Sequence, residues 1–202
     1  MTKGQAEVHK KSAYHHGDLR AQLVAATRQL VEEKGPSGFT VAEAARQAAV
    51  STAAPYRHFK DRTALLHAVA EDGMHRLAAS FDARIASLPP GSAEAITELG
   101  CAYVDFAAAE PGVFRLMFAA HEEKPDSLTE AGMSCYGRLL RQTALHLGTA
   151  DDAEETTAVA LPLWMFVHGA SFLLIDGKLS DTLASGRLRG LIDQSTRRLL
   201  GG

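Results

Sequence analysis

Ser51-Thr52-Ala53-Ala54-Pro55-Tyr56-Arg57-His58-Phe59-Lys60 is the stretch on which the fold turns. Pro55 has no amide hydrogen, and its ring clashes one turn back, so a helix tolerates it only within the first turn. That places a short helix from about Thr52 to Lys60, capped by Ser51 or Thr52. Phe59, with Val50 from the preceding turn Ala49-Val50-Ser51, anchors it to a core. Thr52, Ala53, Tyr56 and Arg57 are then left facing outward. Just upstream, Thr40-Val41-Ala42-Glu43 is a capping box, in which hydroxyl and carboxylate satisfy each other's backbone amides. It opens a second helix with Val41, Ala44, Ala45 and Ala48 turned inward. A first helix over residues 17–34 carries Leu19, Leu23, Ala26 and Leu30 on one face. Asp18 suits its positive end, and Gly35-Pro36 stops it. Two short helices around a tight turn, packed on a third, make a helix-turn-helix unit over residues 14–62, preceded by a polar arm over residues 1–13.

The rest of the chain also reads as helix. Ala and Leu abound while β-branched and aromatic residues are sparse, so the expected class is all-α. Asp61 caps a long helix to about Leu88, with Leu66, Val69, Gly73, Leu77, Phe81, Ile85 and Leu88 as its apolar stripe. Leu88-Pro89-Pro90-Gly91 is the clearest break, ending that helix without making a flexible linker. Residues 92–109 place Ile96, Leu99, Tyr103 and Phe106 on one face, and residues 113–118 form a short apolar helix. Ser127-Leu128-Thr129-Glu130 reads as a second capping box, opening a helix to about Leu147. Asp152 opens a helix through Ile175, and a last one over residues 182–200 carries Leu188, Leu191, Ile192, Ser195 and Leu199. The apolar run 158–175 is at the short end for a membrane span and contains Pro162 and His168, so a helix buried between protein layers is expected, with no membrane partner. Residues 63–202 would thus form one helical bundle joined to the helix-turn-helix unit through the long helix.

Charge divides along the same line. The net charge of −3 hides ten Lys/Arg against six Asp/Glu in residues 1–62, and eleven against eighteen in the remainder. A basic module joined to an acidic one fits a nucleic-acid reader carrying a second domain with another task. Cys101 and Cys135 are the only cysteines; they lie far apart without metal-ligand spacing, which points to a reducing, cytoplasmic setting. The first residues carry no apolar core of a secretion signal.

A short helix after a tight turn can enter the major groove while its neighbours hold the DNA backbone. Ala53 allows close approach to a thymine methyl, and Arg57 reaches a guanine edge or a phosphate. Tyr56, His58 and Lys60 are placed for phosphates, which position a protein without conveying sequence, and Ser51, at the helix start, belongs to the same DNA-binding set. Thr40 and Arg62, at two helix starts, extend that set. Two other readings remain: a helical interaction protein without specific DNA binding, and a metal-dependent enzyme. The raw material for the latter is His15-His16, His121-Glu122-Glu123 and Cys135, none with HExxH, CxxC or nucleophile-elbow spacing. No catalytic residue, metal or cofactor is therefore expected.

Tyr14-His15-His16-Gly17-Asp18-Leu19-Arg20, Thr40-Val41 with Glu43 and Ala45, and Pro55-Tyr56-Arg57-His58-Phe59 resemble the N-terminal domain of TetR/AcrR-type transcriptional regulators. The turn has Ala49 where the family often has Gly, and Arg62 stands where Lys is usual. Trp164-Met165-Phe166-Val167-His168-Gly169 and the run from Glu110 to Phe118 resemble the C-terminal domain of the subgroup named for its Trp-His-Gly motif. The resemblance implies a homodimer on operator DNA, in most cases a repressor, released by a small-molecule effector bound in the helical C-terminal domain. Tyr103, Phe106, Phe114, Met117, Phe118, Trp164, His168 and Phe172 are the candidates for lining that pocket, and their chemistry favours an apolar or aromatic effector. The last two helices are the expected dimer face.

Overall fold

The computed structural model describes residues 19–119, 125–179 and 187–201, and every regular element among them is helical. α1 is Leu19–Lys34, α2 is Val41–Gln47 and α3 is Arg62–Ile85, with a 3-10 turn Pro55–Arg57 between α2 and α3. The rest of the chain folds as α4 (Ala93–Ala109), α5 (Pro111–Met117), α6 (Asp126–Leu147), α7 (Glu154–Ile175) and α8 (Arg187–Leu199). The arm over 1–13, residues 14–18, His121-Glu122-Glu123 and the first part of the last expected helix lie outside the described residues.

At the N-terminal end, Leu23, Leu30, Val31, Phe39, Ala44, Phe59 and Leu65 bury a small core between α1, α2 and the start of α3. The first capping box forms as read: the Glu43 amide donates to Thr40 Oγ1 at 3.2 Å, and the Thr40 amide donates to the Glu43 carboxylate at 2.7 Å. Ala49 then turns the chain at φ 56°, the one non-glycine residue with positive φ among the described residues. A Cβ in that region costs about 1–2 kcal/mol, and the turn accepts it because Val50 must come back to donate to the Ala45 carbonyl.

The reading helix is shorter than expected. Residues 52–60 hold only the 3-10 turn Pro55–Arg57, flanked by bends. Pro55 cannot donate to Ser51, whose carbonyl instead accepts from Ala54 at 3.0 Å. Arg57 donates to Ala54 at 3.2 Å and His58 to Pro55 at 2.9 Å, the i+3 pattern of a tighter coil.

α3 is the spine. Its Asp61 cap accepts from the Ala64 amide at 2.8 Å, and it packs on α1 at one end and on α4, α5 and α6 along its length. α4 lies inside the bundle, with α7 and α8 against its far side. One apolar cluster runs without a break from Leu23 in α1 to Ile192 in α8. The two ends of the molecule therefore share a core.

Four boundaries differ from the sequence reading. α5 begins at Pro111, two residues before Val113. α3 ends at Ile85, three residues before Leu88. α7 begins at Glu154 rather than at Asp152. α6 begins at Asp126 behind Pro125, whose carbonyl accepts from Leu128 and Thr129. Ser127 is thus inside α6 and not its cap; its hydroxyl donates to Glu71 of α3 at 3.3 Å. The expectation for α7 is corrected as well. It is long and apolar enough to cross a membrane by length and composition, yet it packs on α4, α6 and α8. Only Thr156, Ala160, Leu163, Val167, Ala170 and Ser171 are buried, while Leu161, Met165 and Leu173 on other faces are exposed. A single chain supplies neighbours for one side of this helix, not for all of it.

Candidate functional site

Two regions collect the residues singled out above. At the N-terminal end, Ser51, Thr52, Ala53, Tyr56, Arg57, His58 and Lys60 are all exposed, while Ala54, Pro55 and Phe59 between them are buried. The coil separates buried anchors from exposed polar side chains as the sequence requires. Phe59 is 5% exposed, with the Arg20 guanidinium 5.5 Å from its ring centre. Arg57 and Lys60 have no acidic partner among the described residues, so their charge is open to a ligand.

Thr40 and Arg62 behave differently. Thr40 Oγ1 both accepts from the Glu43 amide and donates to its carboxylate at 3.0 Å, so the hydroxyl is occupied by the cap. The Lys34 ammonium, 3.0 Å away, and the Thr40 donors hold the Glu43 carboxyl down at about 2. Arg62 is half-buried, donates to the Pro36 carbonyl and lies over the Phe39 ring at 4.8 Å. It ties the start of α3 to the loop after α1.

The second region is a cavity of about 80 Å³ (the volume open to the centre of a water-sized sphere) inside the C-terminal bundle. Met74, Leu77 and Phe81 of α3 form one wall, at the i, i+3, i+7 spacing of a helical face. α4 contributes Ile96, Leu99 and Tyr103, α6 Cys135, Tyr136 and Leu139, α7 Leu163, Trp164 and Val167, and α8 Ile192. Phe118, just beyond α5, closes one side.

Of the eight candidates for this site, Tyr103, Phe118 and Trp164 stand on the wall. Phe114, His168 and Phe172 form an aromatic layer behind it. His168 meets the Phe118 ring edge-on at 4.7 Å between centres, and Phe172 sits 5.0 Å from His168 and 5.4 Å from Phe114. The Tyr103 hydroxyl and His168 Nδ1 share a 2.7 Å hydrogen bond whose direction depends on the imidazole tautomer. Burial pushes the Tyr103 phenol up and the imidazole down, so both are neutral near pH 7. Phe106 lies under the Arg76 guanidinium at 5.4 Å. Met117 packs where any Cβ on Gly73 would fall 2.8 Å from its sulfur, which fixes α5 against α3.

The walls from α3 and α6 were not singled out in the sequence. Their residues carry the same i, i+3, i+4 apolar pattern as any core, and nothing in one chain's sequence separates a lining from a filling. Tyr136, a phenol on the apolar side of α6, is the one signal that was there to be read.

A short helix links the two regions. The Glu32 carboxylate of α1 accepts from the Gly112 and Val113 amides at the start of α5, at 3.0 and 2.7 Å. A Cβ on Gly112 would lie 2.7 Å from the Val31 carbonyl, so only glycine lets α1 come this close. Arg76 of α3 bonds both Asp72 and Glu110, the residue before α5. The far end of α5 leads to Phe118 on the cavity wall.

Comparison with known proteins settles what such an arrangement belongs to. The profile described as "Tetracyclin repressor-like, C-terminal domain" matches residues 96–198, and that of "Bacterial regulatory proteins, tetR family" matches residues 23–69. The chain belongs to the TetR family. The Trp164-His168-Gly169 likeness is compatible with that C-terminal match. Among curated relatives, the HTH-type transcriptional regulator BetI of Escherichia coli is 39% identical over 75 residues, covering 37% of this chain. The match spans only 38% of BetI's own length.

Solved structures extend the likeness over nearly the whole TetR-type fold. A Rhodococcus protein of unknown function is 28% identical with a TM-score of 0.75, covering 94% of this chain and 97% of its own. A tetR-family transcriptional regulator from Streptomyces coelicolor is 17% identical with a TM-score of 0.67, covering 89% of this chain and 80% of its own. The transcriptional regulator FadR from Bacillus subtilis, in complex with stearoyl-CoA, is 14% identical with a TM-score of 0.68, covering 90% and 98%. These last two speak for the fold.

Proposed function

We propose that this TetR-family chain is a homodimeric transcriptional repressor that leaves its operator when a small apolar or aromatic effector enters the cavity. The observation that carries the reading is the pairing of an exposed, unpaired basic coil with a largely apolar cavity, joined through α5 and Glu32. Residues 14–62 are the DNA-binding unit and 63–202 the effector and dimer unit. Thr52, Ala53, Tyr56 and Arg57 face the major groove, with Ser51, His58 and Lys60 toward phosphates. Thr40 and Arg62 support that surface by holding its frame. Such a regulator works in the cytoplasm, where the operator is.

The dimer face is α7 with α8. Leu161, Met165 and Leu173 on the first and Leu191 and Leu199 on the second are exposed large apolar residues. Gly169 has nothing within 4 Å of where a Cβ would stand, leaving space for a second helix. Two copies paired there hold their reading coils about one DNA turn apart, about 34–36 Å or a multiple of it. An effector that favours another spacing shifts the population away from the operator-bound form. The B. subtilis FadR of the same fold is in complex with stearoyl-CoA, a ligand with a long apolar acyl chain on a charged coenzyme A.

The test is a mobility-shift titration against DNA flanking the gene itself at several salt concentrations. Binding that weakens steeply with salt supports the reading. Absence of any salt-dependent binding to that DNA overturns it.

A further inference from the structure

Among the described residues, the cavity wall is apolar almost throughout and carries no charged side chain: none of those that line it is Asp, Glu, Lys or Arg. Its few polar atoms are mostly spoken for. The Tyr103 hydroxyl is bonded to His168, and the Cys135 thiol donates to the Met74 carbonyl at 3.2 Å. Trp164 and Thr196 also bring an indole N–H and a hydroxyl to the wall, but among its described residues only the Tyr136 hydroxyl is a buried polar atom without a partner. The Tyr136 ring centre is 5.7 Å from that of Trp164.

A buried phenol without a partner is destabilising, because it has lost water and gained nothing. Burial also raises the Tyr136 pKa, so the group is a neutral O–H near pH 7 and offers a proton. A carboxylate brought into the same space would be desolvated with no cation to meet it.

We propose that the effector is an uncharged, mainly apolar molecule bearing one hydrogen-bond-accepting oxygen, a ketone, ester or comparable carbonyl, which accepts from the Tyr136 hydroxyl. This rests on the reading of the cavity as the effector site and adds the polarity of its ligand. Acids are excluded by the missing cation. Pure hydrocarbons leave the phenol unpaired and bind more weakly.

Three probes of matched skeleton test it: butyrophenone, butylbenzene and phenylbutanoate. Trp164 is the sole tryptophan of the chain and stands on the cavity wall, so its fluorescence reports binding to the full-length dimer directly. Butyrophenone should bind about ten-fold tighter than butylbenzene, and phenylbutanoate weakest of the three. In Tyr136→Phe the ketone's advantage should vanish while butylbenzene binds as before. The same variant should melt no lower than wild type, since it loses only an unpaired hydroxyl. A preference for the acid, an unchanged ketone-to-hydrocarbon ratio in Tyr136→Phe, or failure of all three probes to bind overturns the proposal. Operator release, measured separately, distinguishes the two readings. Tyr136-dependent ketone binding without release from DNA leaves this subsite standing and removes the effector-release reading instead.

Discussion

Arg57 and Glu43 show how much a single side chain carries in this head. Arg57 stands exposed on the coil, without an acidic partner among the described residues, so Arg57→Ala should remove a DNA contact and nothing structural. Operator affinity should fall by about 1–3 kcal/mol if the contact is to a base edge; a phosphate contact would instead lower the salt slope by about one. A filter-binding salt series on wild type and variant separates these. Glu43 works on stability. Its carboxyl is held at about 2 by Lys34 and Thr40, below the range of an unfolded glutamate. Its contribution is therefore complete above about pH 4.5 and is lost as pH falls toward 2. The melting difference between wild type and Glu43→Gln should be widest near neutral pH and should shrink from pH 5 to pH 3. A gap that stays constant over that range would show that the cap does not titrate.

At the scale of elements, the turn between α2 and the reading coil and the joint between α1 and α5 carry the consequences. Ala49 sits at φ 56°, where glycine is unstrained. Relief of about 1–2 kcal/mol of backbone strain, less about 0.4–1 kcal/mol for the extra freedom of an unfolded glycine, leaves Ala49→Gly about 0.5–1 kcal/mol more stable. Denaturant titration reads this directly. Glu32 staples α1 to the first amides of α5. Glu32→Ala should leave operator binding largely intact but blunt release by effector, because the cavity then moves α5 without pulling α1. Comparing operator affinity with and without saturating ligand, in both proteins, measures the lost coupling; an unchanged ratio would place transmission in α3 alone. The capping boxes show what local pattern can and cannot decide. Thr40-Glu43 formed because nothing competes for that helix start. Ser127-Glu130 did not, because Pro125 sets an extended backbone just ahead and starts the helix early.

For the whole molecule, the unpartnered outer faces of α7 and α8 matter most. Met165 is 62% exposed in the single chain; Met165→Glu would place a charge on the proposed dimer face and should yield monomers in sedimentation equilibrium. Its operator affinity should collapse while Trp164 fluorescence still reports ligand binding, since Met165 is not on the cavity wall. His168→Ala, by contrast, should keep the dimer and the DNA affinity and disturb the effector response through Tyr103 and Phe118. Loss of the dimer in His168→Ala would move that histidine's role to the interface.

Local chemistry along the chain was enough for most of the head, though not for the length of the helix at Pro55, which shrank to the 3-10 turn Pro55–Arg57. Pro55, the Thr40-Glu43 box and the Asp61 cap act over four residues or fewer, so their outcome is written where they stand, as is the exposure of Tyr56, Arg57 and Lys60. The helical type of the described elements in the second half followed equally from periodicity. Tertiary packing decided the rest. Whether Phe114 fills a core while Phe118 lines a cavity depends on neighbours from α4, such as Tyr103, and from α7, some fifty residues on, and the helical period is the same in both cases. Tyr136 has an unpaired hydroxyl only because α6 brings it among apolar walls. Pairing of Glu32 with the amides of α5 depends on a close approach between α1 and Gly112, set by two elements far apart in the chain. Side chains that act through their own turn are legible one at a time; those that act across the bundle exist only once it has closed.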